Sequence, residues 1–306
     1  MTTVSTHGVY QSVLNLALQV QQRLYSTTVQ EASGLVSTDM AGLGSDAGRM
    51  LNLQGEVSNA TRWSANASLA SDRVQAMYSA VGDMIDLANT LKSSIATAMS
   101  GTASDTTASS LQETAEDALN DLANAMNVQL DGRYLFSGSD TDTPAVDLSG
   151  YPASSPPSAT ATDTSYYQGD SQLASISVSS QSKITYGVTG DTAGFETVLR
   201  AAAIAASAAA TDPIDTDALN DAYDLVTTAI SKLGTLQEGL SNTANRLTTA
   251  QASQDTYSDY LQSMVSDIKN VDAAAIMTRV SELQTQLEAS YSAVSGLLKL
   301  RLTDYL

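Results

Sequence analysis

Apolar residues recur along this chain with an uninterrupted 4-3 spacing over long stretches. Ala70, Val74, Met77, Val81, Met84, Ala88, Leu91, Ile95 and Ala98 form one such run. Residues three and four apart share one face of an α-helix, so the run predicts a long helix with a single apolar stripe. Leu111, Ala115, Ala118, Leu122 and Ala125 repeat the pattern. Nearer the C-terminus it returns in Leu219, Tyr223, Val226, Ile230, Leu233, Gln237, Leu240, Ala244 and Leu247. After a change of phase it continues in Tyr257, Leu261, Met264, Ile268, Val271 and Ala275. At about 1.5 Å per residue such helices are several nanometres long, and antiparallel packing buries both stripes.

Between these arms the pattern changes. Four of the five prolines (Pro144, Pro152, Pro156 and Pro157) lie in residues 139–194. There Ala174 to Val178 alternates with period 2, and Ser182 to Val188 reads as a second strand, with Gly187 and Gly190 marking turns. An alanine-rich run at 201–210 returns the chain to helix, and Asp212-Pro213 interrupts it before the last long helices. The fold class expected is mainly α: a long antiparallel helical rod or coiled coil from the N- and C-terminal arms, carrying a small β-rich insert. The corresponding domains are a terminal assembly domain of residues 1–44 and 272–306, a rod domain of 45–138 and 198–271, and an outer domain of 139–197.

The extremities differ from the rods. Val13, Leu14, Leu16, Leu18, Val20 and Leu24 cover more than one side of a helix. Ile276, Val280, Leu283, Leu287, Val294 and Leu297 form a stripe, and Leu298, Leu300, Leu302, Tyr305 and Leu306 fill other faces. A helix apolar all round has to be covered all round. Chain ends rarely occupy the centre of a monomer, so these residues are expected at contacts between subunits. A terminal helix pair packed within the chain's own core is the alternative.

Composition narrows the function. Of the 306 residues, 42% are hydrophobic but only 5% aromatic, which suits close helix packing better than a large ligand pocket. A formal net charge of -19, with 14 scattered basic residues against 33 acidic ones, argues against nucleic-acid binding. With no cysteine, disulfides and thiolate metal sites are excluded. The N-terminal stretch lacks a basic n-region, the first basic residue being Arg23, so no cleaved secretory signal is expected; no apolar run reaches membrane-spanning length.

Candidate chemistry is sparse. His7 is the only histidine, so no histidine pair can hold a metal. Gly42-Leu43-Gly44-Ser45-Asp46-Ala47 fits a dinucleotide fingerprint, but a polar stretch precedes it where a buried strand is required; a glycine turn between two helices is expected instead. Asp140 and Asp142 begin like a calcium loop, and Pro144 takes the next ligand position. Carboxylate pairs such as Glu113 with Asp117, or Asp217 with Asp221, are what solvated acidic helix faces produce. Asn59-Ala60-Thr61 and Asn66-Ala67-Ser68 match a glycan acceptor within expected helix, and Trp63 is expected to be a packing anchor. No catalytic set, cofactor site or metal site emerges, and an enzyme is not expected.

Several motifs together resemble the bacterial flagellin superfamily, most closely its hook-associated protein 3 members. The opening Val4-Ser5-Thr6-His7-Gly8-Val9-Tyr10-Gln11 carries that resemblance, as does Gly132-Arg133-Tyr134-Leu135-Phe136-Ser137-Gly138 followed by Thr141-Asp142-Thr143-Pro144. Tyr167-Gln168-Gly169-Asp170, Gly187-Val188-Thr189-Gly190-Asp191 and the terminal Leu302-Thr303-Asp304-Tyr305-Leu306 continue it. The family's Ser-Gly-Lys stretch and paired-aspartate turn are replaced here by Ser33-Gly34-Leu35 and Ser37-Thr38-Asp39-Met40-Ala41-Gly42.

The resemblance implies a structural subunit joining the flagellar hook to the filament, assembled with copies of itself through its terminal helices. It also implies a neighbouring hook-associated protein and filament flagellin as partners, a cytoplasmic export chaperone on the C-terminal helix, type III export without signal cleavage, and an extracellular location. A filament flagellin of the same fold, or a secreted coiled-coil adhesin, are the competing readings.

Overall fold

The computed structural model describes residues 3–100 and 105–299, with side chains for 8–100 and 106–296. It is mainly α. In chain order come α1 (Thr3–Ser33), a 3-10 turn (Ala41–Leu43), α2 (Asp46–Ser100), α3 (Asp105–Met126), strands β1 (Gln129–Leu130), β2 (Arg133–Tyr134), β3 (Ala174–Ser177) and β4 (Lys183–Tyr186), then α4 (Ala193–Ala209), α5 (Thr216–Lys269) and α6 (Ala273–Lys299). The chain divides into two compact units, one of residues 1–59 and 257–306 and one of residues 60–256.

The second unit holds the main core. All nine residues of the 70–98 stripe on α2 are buried, as are Leu111, Ala115, Ala118 and Leu122 on α3. On α5 burial is stricter than the 4-3 pattern. Leu219, Val226, Leu233, Leu240 and Leu247, seven apart, are buried, whereas Tyr223, Ile230 and Ala244 are only half-buried and Ala222 and Ala229 are buried instead. A third helix explains the shift. α4 is buried along most of its length and packs against α3, while Gly194 at its start lies close against Leu233 of α5. Alanines at 201–203, 205, 208 and 209 keep α4 thin enough to sit between its neighbours. α2 and α5 run antiparallel: Ser64 donates to Asp255 Oδ1 at 2.6 Å, and the Lys92 ammonium lies 5.2 Å from the Tyr223 ring centre.

The insert joins this same core. Phe136 and Phe195 meet edge to face with ring centres 5.3 Å apart, and Tyr166, fully buried, donates its hydroxyl to Gly190 O at 2.9 Å. β3 and β4 pair antiparallel, Ile176 opposite Ile184; burial alternates along β4 but not along β3, whose last two residues are both half-buried. The hairpin β1–β2 lies outside the predicted strands. Its turn residues Asp131 and Gly132 both have positive φ, 52° and 73°. An Asp-Gly pair is the expected signal for that turn, since Gly and Asp tolerate left-handed backbone.

The first unit is held differently. The segments after α1 and after α5 pair: Val36 N–H donates to Lys269 O at 2.8 Å and Val271 N–H to Gly34 O at 3.0 Å. That bridge brings α1 beside α6. Asp272 caps α6 by accepting from the Ala274 and Ala275 N–H groups at 2.9 and 3.1 Å. The glycines of the nucleotide-like fingerprint lie in the 3-10 turn between α1 and α2, with no strand before them.

Candidate functional site: unpaired apolar faces on the terminal helices

The first unit contributes few side chains to a core. Ala17, Val20 and Thr27 on α1 and Val280 and Leu283 on α6 are buried, at the 4-3 spacing of a two-helix seam. Val13, Leu14 and Leu24 on α1 and Ile276, Leu287 and Val294 on α6 are half-buried. Leu16 and Leu18 stay exposed, at 50% and 51%. Val280 and Leu283 are thus taken up within the chain, while Leu16 and Leu18 have no cover. Leu297 and Leu298 lie in α6 with side chains outside the described set, and Leu300, Leu302, Tyr305 and Leu306 lie outside the described residues.

The seam uses one stripe of each helix and leaves others bare. Val9, Tyr25 and Val29 on α1, and Met277 and Tyr291 on α6, are exposed, as are Met40, Leu51, Tyr257 and Tyr260 in the same unit. Among the described residues only Leu69, Met99 and Leu173 of the second unit are comparable exposed large hydrophobics. Single exposed apolar side chains need no explanation, but their concentration in one unit makes that unit the candidate contact surface. Spacing does not flag Tyr25, Met277 and Tyr291, because they fall off the 4-3 stripe. Exposure, which only the folded chain gives, identifies them.

Charge reinforces the distinction. α1 carries Arg23 and Glu31, and α6 carries Arg279 and Lys299 against Glu282 and Glu288, so both helices are neutral. The charge of -19 therefore resides elsewhere in the chain, and repulsion does not oppose association through these two helices. Among the described residues no helix is long and apolar enough to cross a membrane, and no cluster of three metal-ligating side chains occurs.

The arrangement defines a helical protein whose terminal helices carry uncovered apolar side chains. The profile of the bacterial flagellin N-terminal helical region matches residues 4–141, and that of the flagellin C-terminal helical region matches residues 216–306. The chain belongs to the bacterial flagellin family; it is a structural component of the flagellum, located outside the cell, and not an enzyme. A comparison with curated proteins finds no significant match.

Solved structures of similar fold include a flagellar hook-associated protein from Vibrio parahaemolyticus, 14% identical with a TM-score of 0.60, the match covering 76% of this chain and 99% of that one. FlgL of Bacillus cereus is 12% identical, TM-score 0.55, covering 71% and 98%. Flagellar hook associated protein-3 of Legionella pneumophila is 13% identical, TM-score 0.56, covering 71% and 98%. At these identities the likeness concerns the fold.

Proposed function

We propose that this chain joins the flagellar hook to the filament, polymerising with copies of itself between another hook-associated protein and the first filament flagellins. The observation that carries the reading is the pair of neutral terminal helices whose one seam is closed within the chain while Leu16, Leu18, Tyr25, Met277 and Tyr291 remain exposed. Covering such a surface stabilises by about 25 cal/mol per Å² of apolar area, and a neighbouring subunit provides that cover. The similarity to hook-associated proteins over nearly their full length favours the junction over the filament.

On this reading residues 1–44 and 272–306 form the assembly domain, and the interface is built from Val13, Leu14, Leu16, Leu18, Leu24, Ile276, Leu287, Val294, Leu297, Leu298, Leu300, Leu302, Tyr305 and Leu306, while Val280 and Leu283 close the α1–α6 seam within the chain. Residues 45–138 and 198–271 form the rod, and 139–197 face outward. Export proceeds without a cleaved signal, with a cytoplasmic chaperone on the C-terminal helix.

The test is deletion of the gene. Cells without a junction protein build hooks and shed unpolymerised flagellin into the medium. A mutant that keeps its filaments overturns the junction reading, and one that keeps hooks but makes no flagellin identifies a filament subunit. Deleting residues 145–192 separates the adhesin reading, because an adhesin loses surface binding while motility persists.

A further inference from the structure

In the second unit residues 151–163 loop out and return, and together with Arg200 of α4 they line a cavity of about 150 Å³. Three hydrogen bonds fix its walls. Ala153 N–H donates to Asp163 Oδ2 at 2.8 Å and closes the loop at its neck. Asp163 N–H donates to Glu196 Oε1 at 3.0 Å, and Arg200 Nη1 donates to Ala159 O at 2.5 Å, which ties the loop to α4. Arg200 is buried, whereas Ala153, Ser154, Ala161 and Thr162 are exposed, so the cavity leads inward from solvent. A site with walls held in this way needs little ordering when a small molecule enters, and that saving goes into affinity.

The lining selects by chemistry. Tyr151 packs edge to face on Tyr166, ring centres 5.4 Å apart, and its hydroxyl is buried with no hydrogen-bond partner among the described residues. Buried polar groups are normally paired, so this hydroxyl marks a place for a ligand atom. Arg200 is the only cation of the lining and is already engaged by Glu196, so an anion meets no free positive charge and is repelled by Asp163. Pro152 and Pro157 offer apolar ring surfaces, while the Ser154 and Thr162 hydroxyls and the Asp163 carboxylate offer polar ones. A neutral ring with C–H groups on its face and hydroxyls around its edge matches both. Size agrees, since a cavity of roughly 150 Å³ takes a six-membered ring.

We infer that this cavity is a binding site for a neutral pyranose, with one sugar hydroxyl accepting from the Tyr151 hydroxyl and another donating to the Asp163 carboxylate. The prolines cover the C–H face of the ring, and the exposed loop residues form the mouth through which it enters. Water alone would also pair with Tyr151, but it has no use for the apolar walls and shows no preference among solutes. The inference stands on the insert alone and is independent of the junction reading.

The test is saturation-transfer NMR on the purified full-length chain, with methyl glucoside, methyl galactoside, methyl mannoside and N-acetylglucosamine as probes and glycerol and inorganic phosphate as controls. At least one pyranose is expected to bind with Kd on the order of 1 mM, tighter than glycerol, and phosphate is expected not to bind. Tyr151→Phe keeps the ring against Tyr166 and removes the hydroxyl; it is expected to weaken that pyranose about fivefold. Ala161→Trp, at an exposed position of the mouth, is expected to abolish binding, and circular dichroism checks that both variants fold. Absence of binding by all four pyranoses overturns the site, as does glycerol binding equally well or a folded variant that binds as wild type does. Should a variant fail to fold, amide shifts of the wild-type chain on adding the sugar decide the matter. Shifts centred on residues 151–163 and Arg200 support the site, and shifts elsewhere only, or none, overturn it.

Discussion

Glu196 and Arg200 form a buried ion pair one turn apart on α4, Arg200 Nε standing 2.7 Å from Glu196 Oε1. The directed hydrogen bond of the pair runs from Nη2 to Oε2 at 3.3 Å. Both residues also hold the insert: Asp163 N–H donates to Glu196 Oε1 at 3.0 Å, and Arg200 Nη1 donates to Ala159 O at 2.5 Å. An ion pair in the first two turns of an alanine-rich helix thus pins residues 159–163 onto the core.

Breaking that pair from one side strands a buried charge. Glu196→Ala and Arg200→Ala are each expected to destabilise the chain by about 3 kcal/mol. The double variant should cost less than the two together, because neither charge is then left alone. Urea unfolding of the three proteins checks this. Additive losses would show that the two side chains act independently.

Tyr151, Tyr166 and Tyr167 all have hydroxyls held well above the usual tyrosine value of 10.0, in each case chiefly by burial, with nearby carboxylates such as Asp163, Glu196 and Asp191 adding to it. The neutral form is therefore favoured in the folded state. The resulting stability is complete below the unfolded value near 10 and declines as pH rises beyond it. Stability should fall steeply above that pH, and absorbance at about 295 nm should show these tyrosines ionising only as the chain unfolds. Free titration of all tyrosines without loss of structure would contradict their burial.

Gly138 occupies left-handed backbone with φ of 73°, and an added Cβ would collide with the Asp170 carbonyl oxygen. The carboxylate of the same Asp170 accepts from the Ser139 N–H at 2.9 Å and from its hydroxyl, which holds the Asp170 carboxyl below the usual range. Gly138→Ala should cost about 2 kcal/mol in thermal unfolding, from strained backbone and the displaced Asp170 together. Gly150, with open space around it, should accept alanine with little change.

Leu16 and Leu18 are exposed while Val20 and Val280 are buried in the seam. Leu16→Glu and Leu18→Glu are expected to leave unfolding of the monomer within about 0.5 kcal/mol of wild type and yet to abolish incorporation into flagella. Val280→Glu should instead loosen the α1–α6 pair, seen as faster amide exchange in residues 8–33 and 273–296. Normal incorporation of the Leu16 variant would remove that residue from the interface.

Much of the fold is legible in the sequence because helical burial repeats. The stripe from Ala70 to Ala98 is buried at every position, since a long helix in an antiparallel pair presents the same face to its neighbour throughout. Spacing describes α5 less well. Tyr223 and Ile230 are only half-buried because α4 lies against the adjacent side, where Ala222 and Ala229 are covered instead. A 4-3 period registers a stripe but not a third helix beside it. Tyr257 falls on a predicted stripe and is nevertheless 41% exposed, donating to Glu56 Oε2 at 2.6 Å.

The sequence by itself determined the class of structure, long amphipathic helices around a β-containing insert, and it marked the chain ends as apolar on more than one face. Those are local properties, written in the period of the side chains and in composition. Tertiary structure alone decided which apolar residues remain uncovered. Val280 and Leu283 found partners across the α1–α6 seam, whereas Leu16, Leu18, Tyr25, Met277 and Tyr291 did not. A helix can offer only part of its circumference to one neighbour, so which part is left uncovered depends on how the two ends meet in space.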